Sequence, residues 1–175
     1  MPSPPPAAPR RNGPDRPPLP TGRRRLVARL PIQVYRAGLG GIFGGRLLLL
    51  HHRGRQSGRP RQVVLEAVAH DRAAGTWTLA SGFGPRAAWY RNLRAHPDAV
   101  IQVGRRRYAV TARFLSSEEG GEVMARYAPR HPRAAAKLAA FMGFDGDGSI
   151  DGYRRAGEQI PFVRLVERGR AGLGG

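Results

Sequence analysis

Two apolar strands flanking a basic turn constrain this chain more than any other stretch. Arg46-Leu47-Leu48-Leu49-Leu50-His51-His52 leads into Arg53-Gly54-Arg55-Gln56-Ser57-Gly58-Arg59-Pro60-Arg61 and out through Gln62-Val63-Val64-Leu65. Leu47 to His52 reads as a short continuous apolar run, the pattern of a strand buried on both faces. Gln62 to His70 is rich in β-branched residues and reads as its partner. Between them, Arg53 to Arg61 holds four arginines, a serine, two glycines and a proline. Glycine permits tight backbone geometry, and proline fixes φ. Arginine offers a planar fork that matches phosphate and carboxylate oxygens. The turn therefore suits an anionic ligand tail; the same residues also fit a solvated hairpin turn.

The pattern beyond this hairpin is mixed. Residues 1–22 carry nine prolines among alanines and arginines, a composition that buries too little apolar surface to order itself; a disordered tail is expected. Residues 23–45 read as a basic amphipathic helical segment, broken at Pro31 and ended by glycines. Its apolar stripe fits packing on the domain, and 23–37 also suits peripheral contact with an anionic membrane. After the hairpin come a third strand (75–81), a helix (Pro85 to Ala95) and a strand pair, 99–103 and 107–115, around Gly104. Ser116-Ser117-Glu118-Glu119 marks a helix start whose inward residues are Val123, Met124 and Tyr127. Pro132 opens another helix with Leu138, Phe141 and Met142 inward. A helical turn (150–157), a last strand (160–166) and a flexible tail (168–175) follow. Six strands with hairpin-length links and inserted helices argue α+β with a mainly antiparallel sheet, centred on residues 46–167.

A second candidate segment runs strand, glycine loop, helix: Ala80-Ser81-Gly82-Phe83-Gly84-Pro85-Arg86, then Trp89-Tyr90-Arg91-Asn92-Leu93. Small residues let a planar ligand approach the backbone, free amides at a helix start favour an anion, and Arg86 adds a full charge. The alternative is a glycine turn with Trp89 and Leu93 as core. Other chemistries lack support. The absence of cysteine excludes disulfides, thiolate metal sites and a cysteine nucleophile, and fits a cytoplasmic location. His51 and His52 are adjacent in a strand and point to opposite faces, so they cannot share a metal; no metal site is expected. Asp145-Gly146-Asp147 is only a fragment of a calcium loop, and no serine sits in a nucleophile elbow. The net charge of +18 attracts polyanions, but aromatics are only 7% and no recognition helix appears, so no specific nucleic-acid partner is expected. No apolar run nears the roughly 20 residues that span a bilayer, and the first residues show no signal-peptide core.

Taken in order, Gly54-Arg55-Gln56-Ser57-Gly58-Arg59-Pro60-Arg61, Ala80-Ser81-Gly82-Phe83-Gly84, Trp89-Tyr90-Arg91-Asn92-Leu93-Arg94-Ala95-His96-Pro97, Val100-Ile101-Gln102-Val103-Gly104 and the closing Tyr153-Arg154-Arg155 with Ile160-Pro161-Phe162-Val163 resemble the deazaflavin-dependent nitroreductase family, the quinone reductases that use reduced coenzyme F-420. The resemblance implies a split β-barrel related to the flavin-mononucleotide-binding barrels, with peripheral helices. It implies an oxidoreductase that passes a hydride from the reduced deazaflavin to a quinone-like, nitro or other conjugated small-molecule acceptor. On that basis Arg55, Arg59 and Arg61, with Gln56 and Ser57, would hold the coenzyme's phosphate and polyglutamate tail. Ser81, Gly82, Gly84 and Arg86 would border the ring system. Trp89, Tyr90 and Asn92 would shape the loop–helix junction. Val64, Leu65 and Ala80 complete the cofactor-binding set, and Tyr153 is the implied proton donor. Family barrels often pair, which implies a homodimer. Gln56 stands where the family usually has lysine, and Ala67 where it often has tyrosine. The alternatives are a barrel that binds flavin mononucleotide or haem or is non-catalytic, and a basic nucleic-acid-binding protein.

Overall fold

The computed structural model describes residues 46–141, 143–144 and 148–169. The expectations for 1–22, for 23–45 with its membrane contact, for Phe141 and Met142 as core, for Asp145 to Asp147 and for the chain beyond 169 lie outside the described residues or side chains.

Six strands close into an antiparallel barrel in the order β1-β2-β3-β6-β5-β4. They are β1 (Leu47–Arg53), β2 (Pro60–Asp71), β3 (Thr76–Ala80), β4 (Asp98–Val103), β5 (Arg106–Phe114) and β6 (Phe162–Glu167). Among the described residues four α-helices are added: α1 (Ala88–Ala95), α2 (Ser117–Arg130), α3 (Pro132–Phe141) and α4 (Ile150–Gln159). The α+β, mainly antiparallel architecture expected from the strand pattern, and the barrel that the resemblance implied, are thus the observed fold. Closure follows from β1 pairing with β2 on one edge and β4 on the other, which leaves no open edge to template aggregation.

Leu48, Leu49 and Leu50 are all buried, as the continuous apolar run requires. Leu48 and Leu50 join Trp77, Leu79, Ile101, Val110, Val163 and Leu165 inside the barrel, and α1 plugs one end with Trp89 and Leu93. Each such side chain, fully buried, contributes roughly 1.5–3 kcal/mol. A second cluster lies between the helices: Val123, Met124 and Tyr127 of α2, Ala135 and Ala139 of α3, Tyr153 and Ala156 of α4, closed by Ile160 and Phe162. Among the described residues no helix is long and apolar enough to cross a membrane.

Several boundaries differ from the sequence expectation by a residue or two, and three of the differences have a clear physical reason. β2 begins at Pro60, paired with Arg53, two residues early. Proline is tolerated there because β2 meets its other neighbour only from Ala67 onward, so no ladder donor is needed. The helix expected from Pro85 to Ala95 is divided. Gly84–Arg86 is a 3-10 turn, and Ala87 is extended (φ −54°, ψ 133°) with its side chain buried in the barrel core. Asp71 belongs to β2, and its Oδ1 accepts the Ala74 N–H at 2.9 Å, closing the turn to β3.

The helix start at Ser116 is as expected. Its hydroxyl accepts the Glu119 N–H and Glu119 Oε2 accepts the Ser116 N–H, a capping box. That backbone hydrogen bond, with help from Arg113, holds the Glu119 carboxyl below its ordinary pKa. α2 and α4 cross at glycines: a Cβ on Gly157 would lie 2.5 Å from the Gly120 carbonyl oxygen and 2.7 Å from Met124 Cβ. The two backbones touch there, and nothing larger than hydrogen fits.

Candidate functional site

The basic turn is built to hold one shape. Gly54 N–H donates to the Arg59 carbonyl at 2.9 Å, and Gly58 N–H to the Gly54 carbonyl at 2.8 Å. Gly58 is left-handed (φ 62°), a conformation that favours glycine. A Cβ on Gly54 would lie 2.7 Å from Ser57 Oγ, so the ring of the turn also needs a glycine at its base. Ser57 Oγ lies 3.4 Å from the Arg59 amide as its acceptor. Gln56, Ser57, Arg59 and Arg61 are exposed, and Arg55 is half-buried. The fixed backbone therefore presents its guanidinium groups outward, the arrangement an anion needs.

The turn is tied to α1. Asn92 Oδ1 accepts the Arg55 N–H at 3.1 Å, with the Arg55 guanidinium 3.5 Å away. On the other side Asn92 Nδ2 lies 3.2 Å from His52 Nδ1. Asn92 is 5% exposed and His52 6% exposed. Burial, and then the charge of Arg61, lower the His52 pKa from 6.5 to about 4. The imidazole is neutral at physiological pH.

Ahead of α1, the loop from Ser81 is braced by its own side chain. Ser81 is 0% exposed, and its hydroxyl donates to the Gly84 carbonyl at 2.7 Å. Gly84 N–H donates back to the Ser81 carbonyl, and Gly84 is left-handed (φ 65°). Gly82 is half-buried and Arg86 is exposed, so those two face outward from the loop. Trp89 is core; Tyr90 sets its ring edge-on to Trp89 and Phe114. On β2, Leu65 packs into the barrel, so the neighbouring Val64 lies on the outer face. Ala80 packs against the helical cluster of which Tyr153 is a member.

The structure thus joins the turn (Arg55 to Arg61) to α1 through Asn92, and Ala80 to the surroundings of Tyr153. It turns the side chains of Ser81, Trp89 and Asn92 to internal duties. Sequence reasoning missed His52, whose partner is 40 residues away, and Gln62, whose Nε2 lies 2.9 Å from His51 Nδ1. The alternation of His51 and His52 across a strand was the available signal; it places them on opposite faces without naming either partner. A groove of about 980 Å³ opens beside the turn, lined by His52, Arg53, Arg61, Gln62, His96 and Arg168 among others. Its lining carries one carboxylate, Asp98, paired with Arg168 at 3.2 Å. No group of three or more histidine, aspartate or glutamate side chains among the described residues is placed to hold a metal.

Residues 27–139 match the model of a family described as F420H(2)-dependent quinone reductase. An F420H(2)-dependent quinone reductase of Mycobacterium tuberculosis is 39% identical over 94 residues, covering 50% of this chain and 62% of that protein. The match therefore spans about three fifths of that relative's length. Among solved structures, a protein of unknown function from Agrobacterium tumefaciens superposes with a TM-score of 0.51 at 18% identity, over 87% of this chain and 59% of that one. The heme storage protein HutZ of Vibrio cholerae does so with a TM-score of 0.50 at 14% identity, over 81% of this chain and 90% of that one. These two likenesses concern the barrel fold alone.

Proposed function

The chain belongs to the F420H(2)-dependent quinone reductase family, and from that premise we propose that it is an oxidoreductase that uses the reduced deazaflavin coenzyme to reduce a quinone-like acceptor. One observation carries the reading: the arginine-bearing turn is held rigid from behind, by Asn92, while its charged side chains face out. A solvated turn has no need of a buried amide fixing its backbone.

In this reading Arg55, Arg59 and Arg61 hold the coenzyme's phosphate and glutamate tail, with Gln56 and Ser57 as neutral hydrogen-bonding neighbours. The donor set fits: several exposed guanidinium groups on a preformed turn suit a ligand of several negative charges. The outward atoms of the second loop, Gly82 and Arg86, border the ring system, with Val64 and Ala80 on the adjoining strands. Ser81 and Gly84 keep that loop in shape, and Trp89 and Tyr90 seat it on the barrel. When bound, the reduced coenzyme supplies a hydride, and the acceptor takes one proton as well. Tyr153, in the helical cluster beside Ala80, is the side chain assigned to provide that proton.

The test is a titration of the purified chain with the oxidised coenzyme, followed by fluorescence and absorbance. Saturable quenching, weakened about tenfold or more by Arg59→Ala or Arg61→Ala, is expected, since a charge-assisted hydrogen bond contributes about 1.5–3 kcal/mol. Reduced coenzyme and a soluble quinone should then give oxidised coenzyme and hydroquinone in equal amounts. Absence of binding at roughly 50 µM coenzyme, an affinity weaker than about 6 kcal/mol, would overturn the reading.

A further inference from the structure

We infer that His52, acting through Asn92, is a positioning residue that sets the basic turn in its ligand-binding form. The inference rests on the functional reading above for the identity of the ligand, and on geometry for everything else.

The Arg55 amide fixes the placement of hydrogens. A backbone N–H is an obligatory donor, so the Asn92 atom 3.1 Å from it must be the oxygen. That fixes the orientation of the side-chain amide and turns its NH2 group toward His52, 3.2 Å away. An amide NH2 has no acceptor capacity, so His52 Nδ1 must accept. The ring is then the neutral tautomer with its proton on Nε2. The hydrogen-bonded run from Arg55 through Asn92 to His52 admits one arrangement of hydrogens.

The reverse direction gives the function. A proton on Nδ1 would set donor against donor. Asn92 would have to rotate, its NH2 would then face the Arg55 N–H, and the turn would lose its anchor. The surroundings oppose that outcome. His52 is buried; Arg61 from β2 and His51 from β1 both disfavour a charge on it, and only a backbone hydrogen bond at Arg53 favours one. Arg53, His96, Arg168 and its partner Asp98 complete the ionisable groups of the adjoining groove. Asn92 also sits on the helix that follows the Ser81 loop. One buried amide therefore fixes the spacing between the two segments proposed to hold opposite parts of the coenzyme. His52 itself is too buried to serve as a tail contact, so its effect should fall on affinity and leave the chemical step alone.

Three measurements on the full chain decide it. Imidazole nitrogen NMR of the wild type should show His52 as the Nε2–H tautomer, neutral from pH 8 to about pH 5. An Nδ1–H tautomer, or titration near the ordinary histidine value, overturns the inference without any variant. Amide hydrogen exchange should show Arg55 protected in the wild type, exposed in folded His52→Leu, and protected again in His52→Gln, whose side-chain oxygen can accept in place of Nδ1. Unchanged protection in His52→Leu overturns it. Coenzyme titration and turnover should show His52→Leu raising Kd and KM about tenfold with kcat within about twofold, and His52→Gln recovering most of the loss. A wild type that ignores the coenzyme sinks the functional reading, while tautomer and exchange still judge whether His52 sets the turn. Equal affinity in wild type and folded His52→Leu sinks this inference alone.

Discussion

The two helical attachments to the barrel are held by different physics. α1 is joined to the basic turn by directional hydrogen bonds, Arg55 N–H to Asn92 and Asn92 to His52. α2 and α4 meet backbone against backbone at Gly120 and Gly157, and also share the Arg154–Glu122 ion pair. A directional bond depends on protonation and on which atom faces which. A steric contact depends only on volume. The end of the barrel that carries the candidate site is therefore the end that chemistry can adjust, and the helical layer is the part that tolerates no growth.

The harshest test of that contrast is Gly157→Ala. The new methyl meets the Gly120 carbonyl oxygen and the Met124 Cβ, both close to the backbone, so relief requires α4 to move off α2. Overpacking of this kind costs about 3 kcal/mol. A urea midpoint lowered to match is expected, with the unfolding slope unchanged. The higher helix propensity of alanine works the other way, by only about 1 kcal/mol. A variant as stable as wild type would mean that the crossing is loose, and the contrast between the two layers would fail.

The same contrast explains what was readable in the sequence. The apolar run of β1, the β-branched run of β2 and the Ser116 to Glu119 capping signature are local patterns, and each led to the right element. The order of the two candidate segments was legible too, since the chain carries them as contiguous motifs. Tertiary facts were not legible. Nothing near Gly157 announces that its neighbour is Gly120, and Gly120 by itself reads as a weak spot in a helix. Asn92 looks like a ligand contact when read beside Trp89 and Tyr90. It becomes a connector only when Arg55, 37 residues earlier, is folded against it. Pro60 entered β2 because the far edge of the strand is unpaired at that point, which no local pattern reveals.

Acid should act on the first attachment through His52. His52 has a folded pKa of about 4 against 6.5 for the free side chain. A depressed histidine pKa means that the unfolded chain binds the proton more readily. Its contribution is fully present above about pH 6.5 and is lost as pH falls toward 4. Stability should drop by roughly 2 kcal/mol between pH 7 and pH 5 from this group. Melting or urea curves across that window measure the slope, and His52→Gln should remove this part of it. A slope identical in wild type and variant would show that His52 is not held neutral by the fold.

The smallest expected effect concerns Ser81, and it separates a brace from a ligand contact. Its hydroxyl is fully buried and donates to the Gly84 carbonyl at 2.7 Å, across the turn that ends β3 and leads to α1. Ser81→Ala removes that donor. The carbonyl keeps a second donor, the Ala87 N–H at 3.3 Å, and the Gly84 N–H still closes the turn from the other side. The loss should therefore sit near the low end for a buried hydrogen bond, about 1 kcal/mol. The loop keeps its outward atoms, Gly82 and Arg86, so coenzyme affinity should stay within about twofold of wild type. If Ser81→Ala instead lost affinity tenfold at unchanged stability, the hydroxyl would have to turn from Gly84 to the ligand on binding. The Ser81 loop would then be an adjustable element like the His52–Asn92 tie, and no longer a fixed support for it.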